Sequence, residues 1–346
     1  MKLSSLYYPP ALYRGQMKLI LSGAHCTLTT HQRRIPQLAS CLTLKTRSVV
    51  GWIATIVSTL MAAFWAFWGS IETFHEGWYY HSFWKNIGLA FAQYLSPMML
   101  FILLGVAALR WPRLGGFCCA LLGIIVPAFY VRTPAALEAI SAPMVVLGIL
   151  YWFGRPRPVQ WAYLSVVMVP LIVALTFGIG PALRVRGRID DGIHDARIVE
   201  GNGVSLLWAP RGPGWPDDMR GWTWGEADSI CSYLSESGTT LAATPQNIWR
   251  LPTIDEAVRS FTRHGHNAGG IWDSTSSRAT YSVEPDKESP LWDAYSPVIS
   301  WWTANSIDDL SAYKVVYNGQ VYPSRKRTRL IYLGFRAVRD RAASVY

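Results

Sequence analysis

Acidic side chains are nearly missing from the first half of the chain. Residues 1–183 contain thirteen Lys and Arg but only three acids, Glu72, Glu76 and Glu138, whereas residues 184–346 contain nineteen Lys and Arg and nineteen acids. The formal charge of +10 therefore lies entirely on the first half. A nucleic-acid-binding domain carries its positive charge as a patch on a water-soluble surface, but here the charge accompanies apolar sequence. We therefore expect no nucleic-acid partner.

Cysteine is also scarce, and the five cysteines are Cys26, Cys41, Cys118, Cys119 and Cys231. Only the last lies in the second half, which excludes a disulfide-stabilised scaffold there, and no Cys/His spacing is typical of structural zinc. The chain also lacks a nucleophile elbow, a glycine-rich phosphate loop and a triad order of Ser, His and Asp. These absences predict a protein that is not an enzyme and has no required cofactor.

Apolar residues make up 51% of the chain and charged residues 16%, which excludes a disordered chain and disfavours a purely soluble protein. A helix needs about 20 residues to cross a bilayer, and five apolar segments have a length near this value. They are residues 49–70, 87–109, 114–131, 134–154 and 160–183. The third is short and the fourth carries Glu138 near one end. These two segments therefore predict either two spans or a tighter helical hairpin around residues 132–134.

The positions of the positive charges predict the orientation of the spans. Residues 1–48 carry seven Lys and Arg, and further pairs follow the second and fourth spans. Positively charged loops stay on the cytoplasmic side, so the first residues are cytoplasmic, and an odd number of spans places the second half outside. Arg184, Arg186 and Arg188 oppose this assignment, because they follow the last span on the outer side.

The chain is accordingly expected to have four parts. They are a basic cytoplasmic tail over residues 1–48, a transmembrane domain over 49–183, a linker over 184–196 and an outer domain over 197–346. The tail has no apolar core ahead of a small-residue cleavage site, so the first span is expected to direct insertion. We expect a multi-pass protein of the bacterial inner (plasma) membrane, with a periplasmic or extracellular C-terminal domain.

Local signals in the second half predict an α+β domain. Residues 223–226 and 253–256 have the spacing of capping boxes at the starts of two short helices. Strands are predicted at residues 204–208, 313–317, 320–322 and 330–338. Asn318-Gly319 predicts a tight hairpin turn between the second and third of these strands. Two helices among hairpin strands are typical of an α+β fold.

Several motifs of the second half recur in the order of a known family. They are Leu207-Trp208-Ala209-Pro210, Trp222-Thr223-Trp224, Trp249-Arg250-Leu251-Pro252-Thr253, Trp302-Thr303-Ala304 and Gly334-Phe335-Arg336-Ala337-Val338-Arg339. On these motifs, residues 198–340 resemble the DUF1566 domain, also called the Legionella collagen-like protein C-terminal domain. Two of the motifs also occur in the broader formylglycine-generating-enzyme and sulfatase-modifying group. The resemblance implies a C-type-lectin-like fold, with Arg250 and Arg336 tying loops together by multidentate hydrogen bonds.

The resemblance does not carry the family's chemistry onto this chain. The formylglycine-generating branch uses a pair of redox-active cysteines near the end of the domain, and residues 301–339 contain none. The iron-dependent relatives need a histidine and carboxylate facial set, but this half has only His194, His264 and His266. The His264-Gly265-His266 segment is typical of a flexible, solvated loop. The outer domain is therefore expected to be non-catalytic.

Three acids of the outer domain are candidate ligands for calcium and sugar. Glu284, Asp286 and Asp293 resemble the elements with which true C-type lectins hold calcium, and their oxygen atoms suit a hard cation. Their spacing is shorter than in those lectins. The alternative interpretation is an acidic surface turn.

A basic run between the predicted hairpin and the last strand is the second candidate. Its members are Arg325, Lys326, Arg327 and Arg329. Such a run suits an acidic polysaccharide, anionic lipid headgroups or an acidic face of a protein. The alternative is a solvated loop, because the second half has no net charge.

A titratable cluster follows the first predicted span. Its members are Glu72, His75, Glu76 and His81. The first three have helical i, i+3, i+4 spacing, so they share one face and suit a transition metal. The alternative is a polar loop at the lipid headgroups. No second set of ligands lies inside the spans, so a transporter is not expected.

These observations together predict a membrane-anchored recognition or assembly protein. Its outer domain would dock a protein or glycan, and its spans would lie beside lipids and other membrane proteins as an accessory subunit. The competing class is a sulfatase-modifying-type enzyme or metal-dependent protein that lacks the usual cysteine pair.

Overall fold

The chain folds into a helical half and a sheet domain, and a computed structural model describes residues 34–130, 141–215 and 220–341. The helical half contains α1 (Arg34–His75), α2 (Phe83–Leu89), a π-helical turn (Ala90–Tyr94), α3 (Ser96–Arg110), α4 (Pro112–Tyr130), α5 (Ala142–Phe153) and α6 (Val159–Arg186). Part of the predicted tail, residues 34–48, already belongs to α1. The first residues of the predicted linker likewise continue α6.

The prediction of five spans is wrong for the described residues. Two helical segments there, Thr43–His75 and Val159–Arg186, are long and apolar enough to cross a membrane, and a bent pair formed by Phe83–Tyr94 and Ser96–Arg110 makes up to three. The apolar helices Pro112–Ile125 and Ala142–Phe153 are shorter. A 12-residue helix such as α5 rises only about 18 Å, against a hydrocarbon core of about 30 Å.

The bent pair explains why a single apolar segment does not form one straight helix. The two parts meet at Leu95 with an angle of 63°, directly after the π-helical turn. Pro97 lies in the first turn of α3, where it cannot donate a hydrogen bond back to the preceding helix. A π-helical turn and a proline are both established causes of helix kinks.

The helices α4 and α5 pack against each other as an antiparallel pair through glycine. A Cβ added to Gly116 would lie 2.7 Å from the carbonyl oxygen of Gly148, and one added to Gly123 would lie 2.9 Å from that of Ser141. Only glycine permits such close approach of two helix backbones. The connecting residues 131–140, which include Glu138 and the predicted hairpin turn, lie outside the described residues.

The two long helices run parallel, so their ends of like polarity meet. Near their start, the Trp52 indole Nε1 donates to the carbonyl oxygen of Arg157 at 3.1 Å. Further along, the rings of Phe67 and Phe177 lie 4.8 Å apart. The C-terminal ends of α1 and α6 therefore lie at the same end of the bundle, where the sheet domain follows.

The sheet domain contains two short helices, α7 (Trp224–Tyr233) and α8 (Ile254–Ser260). Its strands are β1 (Arg197–Gly201), β2 (Val204–Trp208), β3 (Thr262–Arg263), β4 (His266–Asn267), β5 (Ile271–Asp273), β6 (Arg278–Thr280), β7 (Ser300–Ser306), β8 (Ser311–Val316), β9 (Val321–Arg325), β10 (Leu333–Gly334) and β11 (Val338–Asp340). The two larger sheets have the strand orders β1-β2-β11 and β10-β7-β8-β9. The chain thus combines helices and sheets, as predicted.

The capping boxes and the hairpin predicted for this domain are confirmed, whereas one predicted strand is wrong. Both capping boxes are confirmed. The hydroxyl groups of Thr223 and Thr253 each accept from the backbone N–H of the glutamate three residues later, and the carboxylate of that glutamate accepts from the backbone N–H of the threonine. The hairpin is confirmed as well, with Gly319 at φ 83° in the turn between β8 and β9. The single strand over 330–338 is wrong. The chain pairs with β7 as β10 and then crosses to pair with β2 as β11, so it joins one strand of each sheet.

Candidate functional site at the junction of the helices and the sheet domain

The end of α6 is fastened to the sheet domain through one buried carboxylate. Asp286 has no exposed side-chain surface, and it accepts from Arg184 Nε at 2.9 Å, from Arg188 Nε at 3.1 Å and from Arg263 Nη1 at 3.1 Å. Burial raises the pKa of Asp286, but Arg188, the Lys287 backbone N–H and Arg184 lower it more, so it lies below its ordinary value. The carboxylate is therefore the ionised centre of the contact.

The residues beside Asp286 extend this contact along the connecting segment. Glu288 is also buried, and its carboxylate accepts from the backbone N–H groups of Ile189, at 3.1 Å, and of His264. Lys287 is buried between the two acids and donates to the carbonyl oxygen of Ser296. Burial, followed by the nearby Arg188, lowers the pKa of Lys287 to about 7. The predicted linker is therefore bonded to the sheet domain.

Of the three arginines whose positions oppose the predicted membrane orientation, two have an acidic partner in the sheet domain. Arg184 and Arg188 are bound to Asp286, whereas Arg186 is exposed. Charges that a buried acid neutralises do not behave as free positive charges of a loop. The sequence signal that could have found this contact is the opposite charge of residues 184–188 and 286–288, although nothing in the chain indicates that they meet.

The three acids predicted to hold calcium do not gather in one place. Asp286 is paired with the three arginines described above. Glu284 is exposed, and its Oε2 lies 3.3 Å from Arg184 Nη1. Asp293 accepts from the backbone N–H of Tyr295 at 2.7 Å, as in an ordinary turn. Within the described ranges these acids do not form a group of three with ligand atoms inside 4.8 Å.

At the end of α1, three of the four predicted metal ligands do gather. The ligand atoms of Glu72, His75 and Glu76 all lie within 4.8 Å of one another, and His75 Nδ1 lies 3.5 Å from Glu72 Oε2. His81 lies apart, with its ring 4.1 Å from that of Tyr295. Burial and then the charge of Glu72 raise the pKa of Glu76, although His75 and Lys314 oppose them.

A cavity of about 380 Å³ adjoins this cluster. Its walls come from α1 and from the bend before α3, and they are Trp65, Trp68, Gly69, Glu72, Glu76, Gln93, Tyr94 and Pro97. The His75 ring also lies 5.3 Å from the ring of Tyr317 in the sheet domain. Two carboxylates and one imidazole can bind a divalent transition metal, and a carboxyl group with a raised pKa can exchange a proton.

Two side chains of the basic run contact partners among the described residues, and the other two are exposed. Lys326 Nζ lies 4.6 Å from the ring centre of Trp224, and Arg329 pairs with Glu226 at the start of α7. Arg325 and Arg327 are exposed. The surface that remains for an acidic ligand is therefore smaller than the run of four suggests.

The third of the recurring motifs, residues 249–253, holds the start of α8 against the last strand. Arg250 donates to Glu256 at 2.7 and 2.6 Å and to Asp340 at 2.9 Å. Trp249 donates to the carbonyl oxygen of Ser235 at 2.9 Å. Of the remaining members, Leu251 and Pro252 are buried and Thr253 caps the helix. All of these contacts join parts of the sheet domain to each other.

The last motif places a charged side chain in the core. Arg336 is buried, and it donates to the carbonyl oxygens of Ala209 at 2.8 Å, Pro290 at 2.9 Å and Leu291 at 2.5 Å. Its guanidinium lies 5.1 Å from the ring centre of Trp215. Gly334 and Phe335 beside it are buried too. Burial lowers the pKa of Arg336 to about 9.

The single cysteine of the sheet domain does not resemble a reactive thiol. Cys231 is buried in α7, within a cluster that includes Ala227, Trp249 and Leu251. Burial, followed by the charge of Asp228, raises the pKa of this thiol. A raised pKa lowers the fraction of thiolate, which is the nucleophilic form.

One comparison with known proteins gives a match. Residues 43–161 match a protein family described as "Domain of unknown function (DUF7670)", and this range runs from α1 to the start of α6. No curated protein matches the chain, and no solved structure matches it.

Proposed function

We propose that this protein is a multi-pass membrane protein that holds a C-type-lectin-like domain outside the cytoplasm for recognition or assembly. The observation that carries the proposal is the buried contact of Asp286 with Arg184 and Arg188, which fastens the sheet domain to the end of α6. A domain that is fastened in this way presents its outer loops at a defined distance and angle from the helices. Such geometry serves a docking subunit.

Exposed apolar side chains support the location in a membrane. Leu60 of α1, Leu103 of α3, Ile124 of α4 and Leu175 of α6 are between 61% and 67% exposed. Apolar surface on all these helices would be unfavourable in water, and it suits lipid. The segments Thr43–His75 and Val159–Arg186 exceed the about 20 residues needed for a span.

A topology of three crossings accounts for the ends of the bundle. In it α1, the bent pair and α6 cross, while α4 and α5 leave and return on one side. Arg110, Arg113 and Arg155 then lie near Arg47, at the end of the bundle away from the sheet domain. The distribution of positive charge favours the cytoplasm for that end, which in a bacterial cell places the sheet domain in the periplasm.

Two observations support binding over catalysis. Cys231 is buried with a raised pKa, and the charged residues of the recurring motifs are used in contacts inside the domain. The exposed cations Arg325 and Arg327 point to an acidic face of a protein or glycan as the partner. The resemblance to DUF1566 agrees with a scaffold whose surface loops carry the specificity.

The test is extraction of the full chain in mild detergent at native expression level, followed by mass spectrometry of what co-purifies. We expect a second membrane protein in a fixed ratio to this chain. Arg327→Glu should reduce its recovery by about tenfold or more, because a like charge at an interface costs several kcal/mol. Arg278→Glu, which reverses another exposed charge of the sheet domain, is the matched control and should change nothing. A chain that purifies alone as a monomer would contradict the assembly role.

The cluster at the end of α1 supports a second candidate, a metal-dependent function, because three ligand atoms lie beside a cavity. This candidate predicts one transition-metal ion per purified chain. Glu76→Gln should weaken zinc binding by more than about tenfold, since even an outer-shell change costs about 10–100-fold. His81→Gln is the control, because His81 lies outside the cluster. Isothermal titration with zinc measures the affinity of the wild-type chain and of both variants. Equal affinity of all three proteins would rule the metal site out.

A further inference from the structure

Four arginines converge at the end of the helical half that faces away from the sheet domain. Arg47 lies in α1, Arg110 ends α3, Arg113 lies in the first turn of α4, and Arg155 follows α5. Together with Trp111 and Trp152 they line a cavity of about 500 Å³. The side chains come from four different parts of the chain, so the fold assembles this group, which we call the arginine cavity.

Among the residues that the structure describes, no acid lines the arginine cavity to balance its charge. Arg110, Arg113 and Arg155 have no carboxylate within 4 Å among the residues that the structure describes. The acids of the described helical half are Glu72 and Glu76. Glu72 lies 25 residues beyond Arg47 along α1, and this separation corresponds to about 37 Å. Four positive charges around one concave surface favour an anion as occupant.

The walls of the cavity also favour an occupant with an apolar part. Trp111, Leu114 and Trp152 line it and are 58%, 57% and 45% exposed. Trp side chains at this level are typical of the boundary between lipid headgroups and hydrocarbon. Phe117 lies about one helical turn after Leu114, and Phe153 directly follows Trp152. Both phenylalanines are exposed as well. A free inorganic anion makes no use of such surface, whereas a phospholipid has both a phosphate and acyl chains.

We infer that the arginine cavity binds the phosphate group of an anionic phospholipid of the cytoplasmic leaflet. The planar guanidinium groups of Arg110, Arg113 and Arg155 match the paired oxygens of a phosphate, and the acyl chains lie along the apolar surface of α4 and α5. A lipid bound there connects the α4 and α5 pair to α1. The inference rests on the membrane location proposed above, and it adds a specific ligand to it.

The experiment uses the full chain reconstituted into phosphatidylcholine nanodiscs that contain a minor fraction of phosphatidylglycerol, with native mass spectrometry of retained lipid. The wild-type chain should retain phosphatidylglycerol in preference to phosphatidylcholine. The triple variant Arg110→Gln, Arg113→Gln and Arg155→Gln should lose this preference by about fivefold for each arginine. The matched control removes the same charge outside the arginine cavity by Lys85→Gln, Arg186→Gln and Arg278→Gln, at three exposed residues, and it should keep the preference. Arg155→Gln alone tests the site if the triple variant does not fold.

The other outcomes overturn the inference in distinguishable ways. Equal loss in the control variant would mean that the preference follows net charge and not the arginine cavity. Displacement of the lipid by inorganic phosphate would make the cavity a site for a free anion. A membrane-embedded chain without lipid preference overturns this inference alone. A chain that alkaline carbonate releases from membranes overturns both the inference and the proposed function.

Discussion

Replacement of Asp286 by asparagine is expected to lower the free energy of unfolding by about 3–5 kcal/mol, because it leaves buried cations without their counter-charge. The side chain of Asp286 has no exposed surface, and those of Arg188 and Arg263 are 5% and 13% exposed. An amide accepts only weakly and also presents hydrogens to the guanidinium groups. Denaturant unfolding in detergent measures the stability, and limited proteolysis at residues 187–196 reports whether the junction has opened.

Glu284→Gln is the matched control for that variant. Glu284 pairs with the same Arg184, but its side chain is 84% exposed. An exposed pair contributes about 0–1 kcal/mol, so the control should unfold almost like the parent chain. If Asp286→Asn were as mild as Glu284→Gln, the buried contact would not be what fastens the sheet domain to α6.

The same carboxylate sets the expected response of the junction to acid. The pKa of Asp286 is lowered in the folded chain, against about 3.9 for an unfolded aspartate. The unfolded state therefore binds the proton first as the pH falls, and the stabilisation is complete above about pH 4 and is lost below it, through the folded pKa. Protection of residues 187–196 from proteolysis should accordingly persist at mildly acidic pH. Asp286→Asn should abolish this acid-dependent component.

Arg336→Lys is expected to destabilise the sheet domain by about 2–5 kcal/mol, because each unsatisfied buried carbonyl costs about 1–3 kcal/mol. The guanidinium serves the carbonyl oxygens of Ala209, Pro290 and Leu291 together. A single ammonium group cannot reach all three from one position, and it is more strongly hydrated in the unfolded state. Tryptophan fluorescence during denaturant unfolding measures the change, since Trp215 and Trp301 lie beside the guanidinium.

The control is a substitution of the second arginine in the motif of residues 334–339, which also contains Arg336. Arg339 is half-buried, and its guanidinium lies 4.8 Å from the ring centre of Trp249. A lysine can keep a cation over that ring, so Arg339→Lys should cost less than about 1 kcal/mol. Equal effects of the two substitutions would indicate that Arg336 is not specifically required for packing, and would make a ligand-binding role for the motif worth testing.

Features that depend on neighbours in the sequence could be predicted from it. The capping boxes at Thr223 and Thr253 need a glutamate three residues later, and the turn at Gly319 needs a residue that tolerates positive φ. The approach of Glu72, His75 and Glu76 follows from helical spacing alone. His81 lies beyond the end of α1, where helical spacing no longer applies, and it packs on Tyr295 instead.

The number of helices long enough to be candidate spans shows where hydropathy stops being informative. Apolar length does not distinguish a straight helix from one that bends by 63° at Leu95, or one long apolar helix from two short ones such as α4 and α5. Those outcomes depend on a π-helical turn, on Pro97 and on the contact of Gly116 with Gly148. The same residues would be read as apolar sequence in either arrangement.

Composition and local pattern were thus enough to establish an apolar helical half, a mixed α and β second half, and the faces of individual helices. They were not enough to show that Arg184 and Arg188 meet Asp286 about 100 residues later, or that four arginines surround one cavity. Contacts between distant residues depend on how the whole chain packs. In this protein the buried charges and the converging cations belong to that class, because a charge acquires its partner, or remains without one, only when the elements have come together.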